Sequence, residues 1–166
     1  MTIMQPKDGF QALLQGASGI LKALGFSKRG AAYRKCVNGN CGIVDFQSSR
    51  DNTADVHRFT INLAIVVGAL LEPDDGPVTS IAVSEAHVRM RLGFLLPQHD
   101  DVWWEITNST NIAMLTREVM EGVETVGVPY VERMLDTGAV CEIWKAGQSP
   151  GLTDGQRQRF LQRLIQ

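Results

Sequence analysis

The feature that most constrains this chain is a ten-residue alternation at 58–67. Phe59, Ile61, Leu63, Ile65 and Val67 fall on one side, and Arg58, Thr60, Asn62 and Ala64 on the other. A period of two is the signature of a strand with one face packed and one wet. The same period recurs at 31–37 and 41–47, joined by Asn38-Gly39-Asn40, a hairpin signal. It returns at 87–93, where Val88, Met90 and Leu92 alternate with His87, Arg89 and Arg91, and at 102–107, where Val102, Trp104 and Ile106 alternate with Trp103, Glu105 and Thr107. The stretches between these runs are too short for parallel crossovers, which need a dozen or more residues and a helix. The strands are therefore expected to be antiparallel.

Helical spacing frames this run. Phe10, Leu13, Leu14, Ala17, Leu21 and Leu24 predict an N-terminal helix, weakened by Gly16 and Gly19 and stopped at Gly25. Ile112, Leu115, Val119, Val123 and Val126 predict a second, capped by Ser109 or Thr110. Pro129 suits the first turn of a short helix over 130–135. Residues 140–144 read as a short strand, 146–151 as a linker, and Thr153 with Gln156 as the capping box of a last helix. The order of helix, strands, then helices predicts an α+β fold. Its antiparallel sheet has about five strands, with helices packed on one face in two layers. One domain is expected over 1–147, followed by a linker and C-terminal helix over 148–166.

With 44% hydrophobic and 20% charged residues, the 166-residue chain is expected to bury a core without staples. A net charge of −2 argues against a dedicated nucleic-acid binder. The longest apolar run, 63–71, is too short to span a bilayer, and the N-terminus lacks the pattern of a signal peptide, so a cytosolic protein is expected. Three cysteines do not make a disulfide framework. Cys36 and Cys41 face each other across the predicted hairpin, and a reducing compartment predicts two free thiols there.

Motifs for chemistry are sparse. Cys36, Cys41, Cys141, His57, His87 and His99 offer metal-capable atoms, but not at zinc-site spacing, so no metal is expected. There is no Gly-x-Ser-x-Gly elbow, and Cys141 reads as a structural cysteine, so no catalytic residue is assigned. The glycines at 16–19 and 25–30 match neither a P-loop nor a dinucleotide fingerprint, and no cofactor is expected. Lys28 and Arg29 place two positive charges in what reads as a solvated helix-to-strand turn. Asp74-Asp75 and Asp100-Asp101 read as turn formers. Trp103 and Trp104 must point to opposite sides of a strand, and Trp104 is in phase with the core.

The polar side of the predicted sheet is the most informative surface. It holds Asp45, Gln47, Arg58, Thr60, Asn62, Arg89, Arg91, Trp103 and Glu105. Two readings stand: the solvated back of a two-layer sheet, or a binding surface rich in the Trp and Arg that mark interface hot spots. The candidate binding residues are Gln47, Arg58, Asn62, Arg89, Arg91, Trp103 and Glu105.

A family resemblance rests on particular runs. Leu24-Gly25-Phe26 with Lys28-Arg29-Gly30 and Tyr33-Arg34 comes first. Val44-Asp45-Phe46-Gln47-Ser48-Ser49 and Phe59-Thr60-Ile61-Asn62-Leu63 follow, then Arg89, Arg91-Leu92-Gly93, Asp101, Trp103-Trp104 and Gly127, Pro129-Tyr130. Together, over roughly 10–145, they resemble the bacterial family called domain of unknown function 4304. That family commonly has Asn where this chain has Asp45. The resemblance implies a fold but no reaction. By analogy with small bacterial α+β domains, the expectation is a non-catalytic protein-binding module, an immunity or antitoxin type that neutralises a toxin-like partner through the polar sheet face. The alternative is a binder of a small anionic metabolite, or an enzyme, using Gln47, Asn62 and Arg91.

Overall fold

The computed structural model describes residues 3–166. Helix α1 spans Pro6–Ala23, and the strands β1 (Ser27–Arg29), β2 (Ala32–Val37), β3 (Asn40–Ser48) and β4 (His57–Val66) follow as a meander. Four short 3-10 turns occupy 68–85. β5 (Val88–Arg91) and β6 (Trp104–Ile106) then complete the sheet, and α2 (Ile112–Gly122), α3 (Val128–Met134), α4 (Thr137–Lys145) and α5 (Asp154–Ile165) end the chain.

The sheet is antiparallel and six-stranded, in the order β1-β2-β3-β4-β5, with β6 also on β4. The fold is α+β, as the alternation predicts. β4 is long enough to carry two short strands end to end on one edge: β5 pairs with Asn62–Ile65 and β6 with His57–Phe59. Thr60 fills the gap between them, its hydroxyl donating to the Val102 carbonyl at 2.8 Å.

Lys28 and Arg29 stand in a strand, not in the solvated turn read from the sequence. The hairpin loop is also tighter than expected. Val37 pairs with Asn40, leaving Asn38 (φ 52°) and Gly39 (φ 84°) as the two turn residues. Both have positive φ, which is the twist-matched type I′ geometry.

The inner face follows the predicted phase. Val44, Phe46, Phe59, Ile61, Leu63, Val88, Leu92, Trp104 and Ile106 all join one buried cluster, with Met90 and Val102 packed at its margin. Helix α1 supplies Phe10, Leu13, Leu14, Ala17 and Leu21, and the C-terminal helices supply Val119, Val131, Val140 and Trp144. Each larger aliphatic or phenyl side chain among them contributes about 1.5–3 kcal/mol by leaving water. Gly42 on β3 lets α3 lie close: a Cβ there would strike the Val131 side chain.

Several helix expectations need correction. Residues 140–144 are helix, not strand. Asp136 caps α4, its carboxylate accepting from the Gly138 amide at 3.0 Å, and Val140 and Trp144, one turn apart, are its buried positions. A short apolar run does not distinguish a strand from a buried helical segment. The cap of α2 is Asn111, which accepts from the Met114 amide at 3.1 Å, while Thr110 accepts from the Thr107 amide instead. α2 and α3 form one continuous rod through a widened π turn at Val123–Gly127. The capping box of α5 is present in both directions, at 2.9 and 3.1 Å. α5 docks through Phe160, stacked on Trp144 and edge-on to His87, and through an Arg163–Glu72 ion pair at 3.0 Å.

Cys36 and Cys41 are joined in a disulfide rather than held as two free thiols. The register sets them directly opposite, with Cα atoms 4.0 Å apart, as in a non-hydrogen-bonded antiparallel pair. No helix among the described residues is long and apolar enough to cross a membrane.

Candidate functional site

The outer face of the sheet is two surfaces, not one wet plane. At one end, Cys41, Ile43, Ala64 and Val66 point outward but are apolar. The 3-10 strap covers them with Ile81 and Ala86, making a second buried cluster. The strap is anchored beside His87, whose Nδ1 accepts from the Val67 amide at 2.9 Å. Burial holds His87 well below its ordinary value, at about 4, with the Arg163 charge lowering it further and Asp75 opposing. The imidazole is therefore neutral at pH 7.

At the other end the same strands carry polar side chains that are half-buried or exposed, apart from Thr60, which is buried. Asp45 of β3, Asn62 of β4 and Arg91 of β5 stand in one cross-strand row. The Asn62 amide donates to Asp45 Oδ2 at 3.1 Å and to Gln47 Oε1 at 2.7 Å. Desolvation raises the Asp45 carboxyl above its ordinary value, opposed by the Asn62 hydrogen bond and the Arg34 charge. Arg34 itself is pulled down, first by burial and then by Arg29. Its Nε and Nη1 are buried without a hydrogen-bond partner.

Beside this row lies a preformed cluster. Arg91 Nη1 donates to Asp101 Oδ1 at 2.7 Å, and Trp103 Nε1 donates to Asp101 Oδ2 at 3.3 Å. The Arg91 guanidinium lies over the Trp103 ring, 5.2 Å from its centroid. One carboxylate thus fixes both side chains, and the stack adds a cation–π contact of about 0.5–1 kcal/mol. Further along, Arg58 and Glu105 face each other across β4 and β6 at 3.9 Å.

Of the candidates read from the sequence, Gln47, Arg58, Asn62, Arg91, Trp103 and Glu105 share this uncovered half. Arg89 does not. Its amide donates to the Pro150 carbonyl at 3.1 Å, and its guanidinium donates to the Gly151 carbonyl. The linker before α5 lies across β5 at this point, so Arg89 is a structural clamp. The sequence reading missed Arg34, whose place depends on the β2–β3 register, and Asp101, which lies in a loop outside any alternating run.

Several clefts lie elsewhere. One of about 670 Å³ runs between α1 and α2 past Ile20, Thr116 and Met120, and one of about 470 Å³ sits at the hairpin against Glu132 and Thr137. Of five such clefts, none is lined by Asp45, Gln47, Asn62, Arg91 or Trp103. The polar half-face spreads half-buried and exposed side chains over three strands, a breadth that suits a protein contact. Among the described residues no three His, Cys, Asp or Glu side chains gather as a metal site.

A family model described as domain of unknown function (DUF4304) matches residues 18–133. No curated protein and no solved structure matches the chain. The matched span runs from the second half of α1 to the end of α3, and so includes every strand and the whole polar half-face.

Proposed function

The chain belongs to the DUF4304 family, which brings no reaction with it, and from its uncovered half-face we propose that it is a non-catalytic protein-binding module. In the sharpest form of this reading it is an immunity-type protein that masks a toxin-like partner. The observation that carries the reading is the Arg91–Asp101–Trp103 cluster. Trp and Arg are the side chains most enriched among interface hot spots. Here Arg91 at the end of β5 and Trp103 just before β6 are already tied to one carboxylate, so a partner does not have to order them on binding. Arg58, Glu105, Asn62 and Gln47 around them supply a mixed polar rim. A small-anion site has less support, because Arg91 already spends a donor on Asp101. The reading places the chain in the cytosol, where the Cys36–Cys41 bond forms only under oxidising conditions.

The test is titration of the chain with the protein encoded by the adjacent reading frame, purified separately. Arg91→Glu and Trp103→Ala are each expected to weaken that complex by about tenfold or more, with the melting temperature little changed. Undiminished affinity in both variants removes this surface as the site.

A further inference from the structure

The first edge of the sheet has features that the half-face reading does not use. β1 ends the strand order, and among the described residues no strand pairs with its outer side. Its three residues, Ser27, Lys28 and Arg29, are all exposed. The register tells which backbone groups are free. Val37 and Asn40 close a two-residue hairpin and are a hydrogen-bonded pair, so Tyr33 and Lys35 also turn their backbone groups toward β3. Ala32 and Arg34 then turn theirs toward β1, where they meet Arg29 and Ser27. The N–H and C=O of Lys28 are left pointing out of the sheet.

Charge is concentrated along this edge. Between Asp8 and Asp45 the chain has Lys22, Lys28, Arg29, Arg34 and Lys35 and no carboxylate, in a protein whose net charge is −2. Lys35 is occupied, bonded to Glu132 at 3.1 Å and to the Leu24 carbonyl at 3.0 Å. Among the described residues Lys22, Lys28 and Arg29 have no carboxylate within ion-pair distance. Lys28 shares a sheet face with Tyr33, and Arg29 shares the opposite face with Arg34. A strand added beside β1 would therefore meet cationic side chains on both of its faces.

We propose that the β1 edge is a second docking site, taking an acidic, extended segment of a partner protein as an added strand. Main-chain pairing with Lys28 would set the register, and Arg29, Lys22 and Lys28 would select carboxylates. An extended peptide fits better than a nucleic acid for two reasons. The edge offers one donor and one acceptor in strand geometry, which a peptide backbone reciprocates. The neighbouring aromatic, Phe26, is 3% exposed and gives no stacking platform for a base. Short length and cationic side chains also keep such an edge from pairing with another copy of itself.

The test is fluorescence anisotropy with three probes: a short peptide alternating Glu and Thr, its Lys/Thr counterpart, and a single-stranded oligothymidylate of matched charge. The Glu/Thr peptide is expected to bind, to weaken with added salt, and to protect the Lys28 amide from hydrogen exchange. Lys28→Pro, which removes the outward N–H together with the Lys28 ammonium, and Arg29→Glu are each expected to cut that affinity about tenfold. Trp103→Ala should leave it unchanged, which separates this site from the half-face. Equal binding of the oligonucleotide, no binding of the acidic peptide, or peptide binding without Lys28 protection would each overturn the proposal. Should Lys28→Pro fail to fold, Arg29→Glu and the exchange measurement decide.

Discussion

The two halves of the outer sheet face share strands, direction and pleat, yet one is buried and the other is not. On β3, Ile43 lies under the strap at 0% exposure, while Gln47, four residues on and pointing the same way, is exposed. On β4, Ala64 is 1% exposed and Asn62, two residues away on the same face, is half-buried. Backbone geometry does not separate the halves; side-chain chemistry does. Apolar groups at one end recruit Ile81 and Ala86 as a lid, because burying them is favourable. Carboxylate and amide groups at the other end would cost several kcal/mol if buried without partners, and they stay partly exposed or hydrogen-bonded, with the Arg34 guanidinium as the exception.

The inner face sets the scale against which both halves are measured. Phe59→Ala, at the centre of an aromatic cluster with Phe10, Phe46 and Trp104, should lower unfolding stability by about 3–5 kcal/mol in chemical denaturation. Ile81→Ala should unseat the strap and cost about 2 kcal/mol, with raised hydrogen exchange at the Ile43 and Val66 amides. Exchange confined to Ile81 itself would mean that the strap is held from elsewhere. Reducing the Cys36–Cys41 bond, at the edge of the strapped half, should cost up to about 2 kcal/mol, since it closes a loop of only a few residues.

Acid should act on the strapped half first. The folded pKa of His87 lies below its unfolded value, so the unfolded chain binds the proton more readily. The contribution of His87 is complete above about pH 6.5 and is lost as pH falls toward about 4. His87→Gln should flatten the pH dependence of the melting temperature in that window. An unchanged profile would take His87 out of the account. In the open half, Arg91→Glu should lower stability by about 1 kcal/mol, since it ends a partly exposed ion pair and the stack on Trp103.

The legibility of the sequence follows the same division. The inner face is readable because every second residue from Phe59 to Ile65 is apolar, and this alone fixes the phase of β4. The open half is readable from the same phase, and six of its seven candidate residues share it. The strap is not: Ile43, Ala64 and Val66 interrupt the polar side of the alternation, but the segment that covers them has no period, being four 3-10 turns. Arg89 has the right phase and the wrong surroundings, since only the tertiary path of Pro150 and Gly151 across β5 removes it from the surface. α4 was hidden by its short apolar run. Its Asp136 cap was the one local signal that could have revealed it.

The division of the outer face is tested most directly by one matched pair of substitutions on β3. Ile43→Lys and Gln47→Lys place the same charge on the same strand and the same face, one under the strap and one in the open. In guanidinium denaturation, Ile43→Lys is predicted to lose about 3 kcal/mol or more, and Gln47→Lys to stay within about 0.5 kcal/mol of the parent. Equal losses at the two positions would contradict a face that is sealed at one end and free at the other.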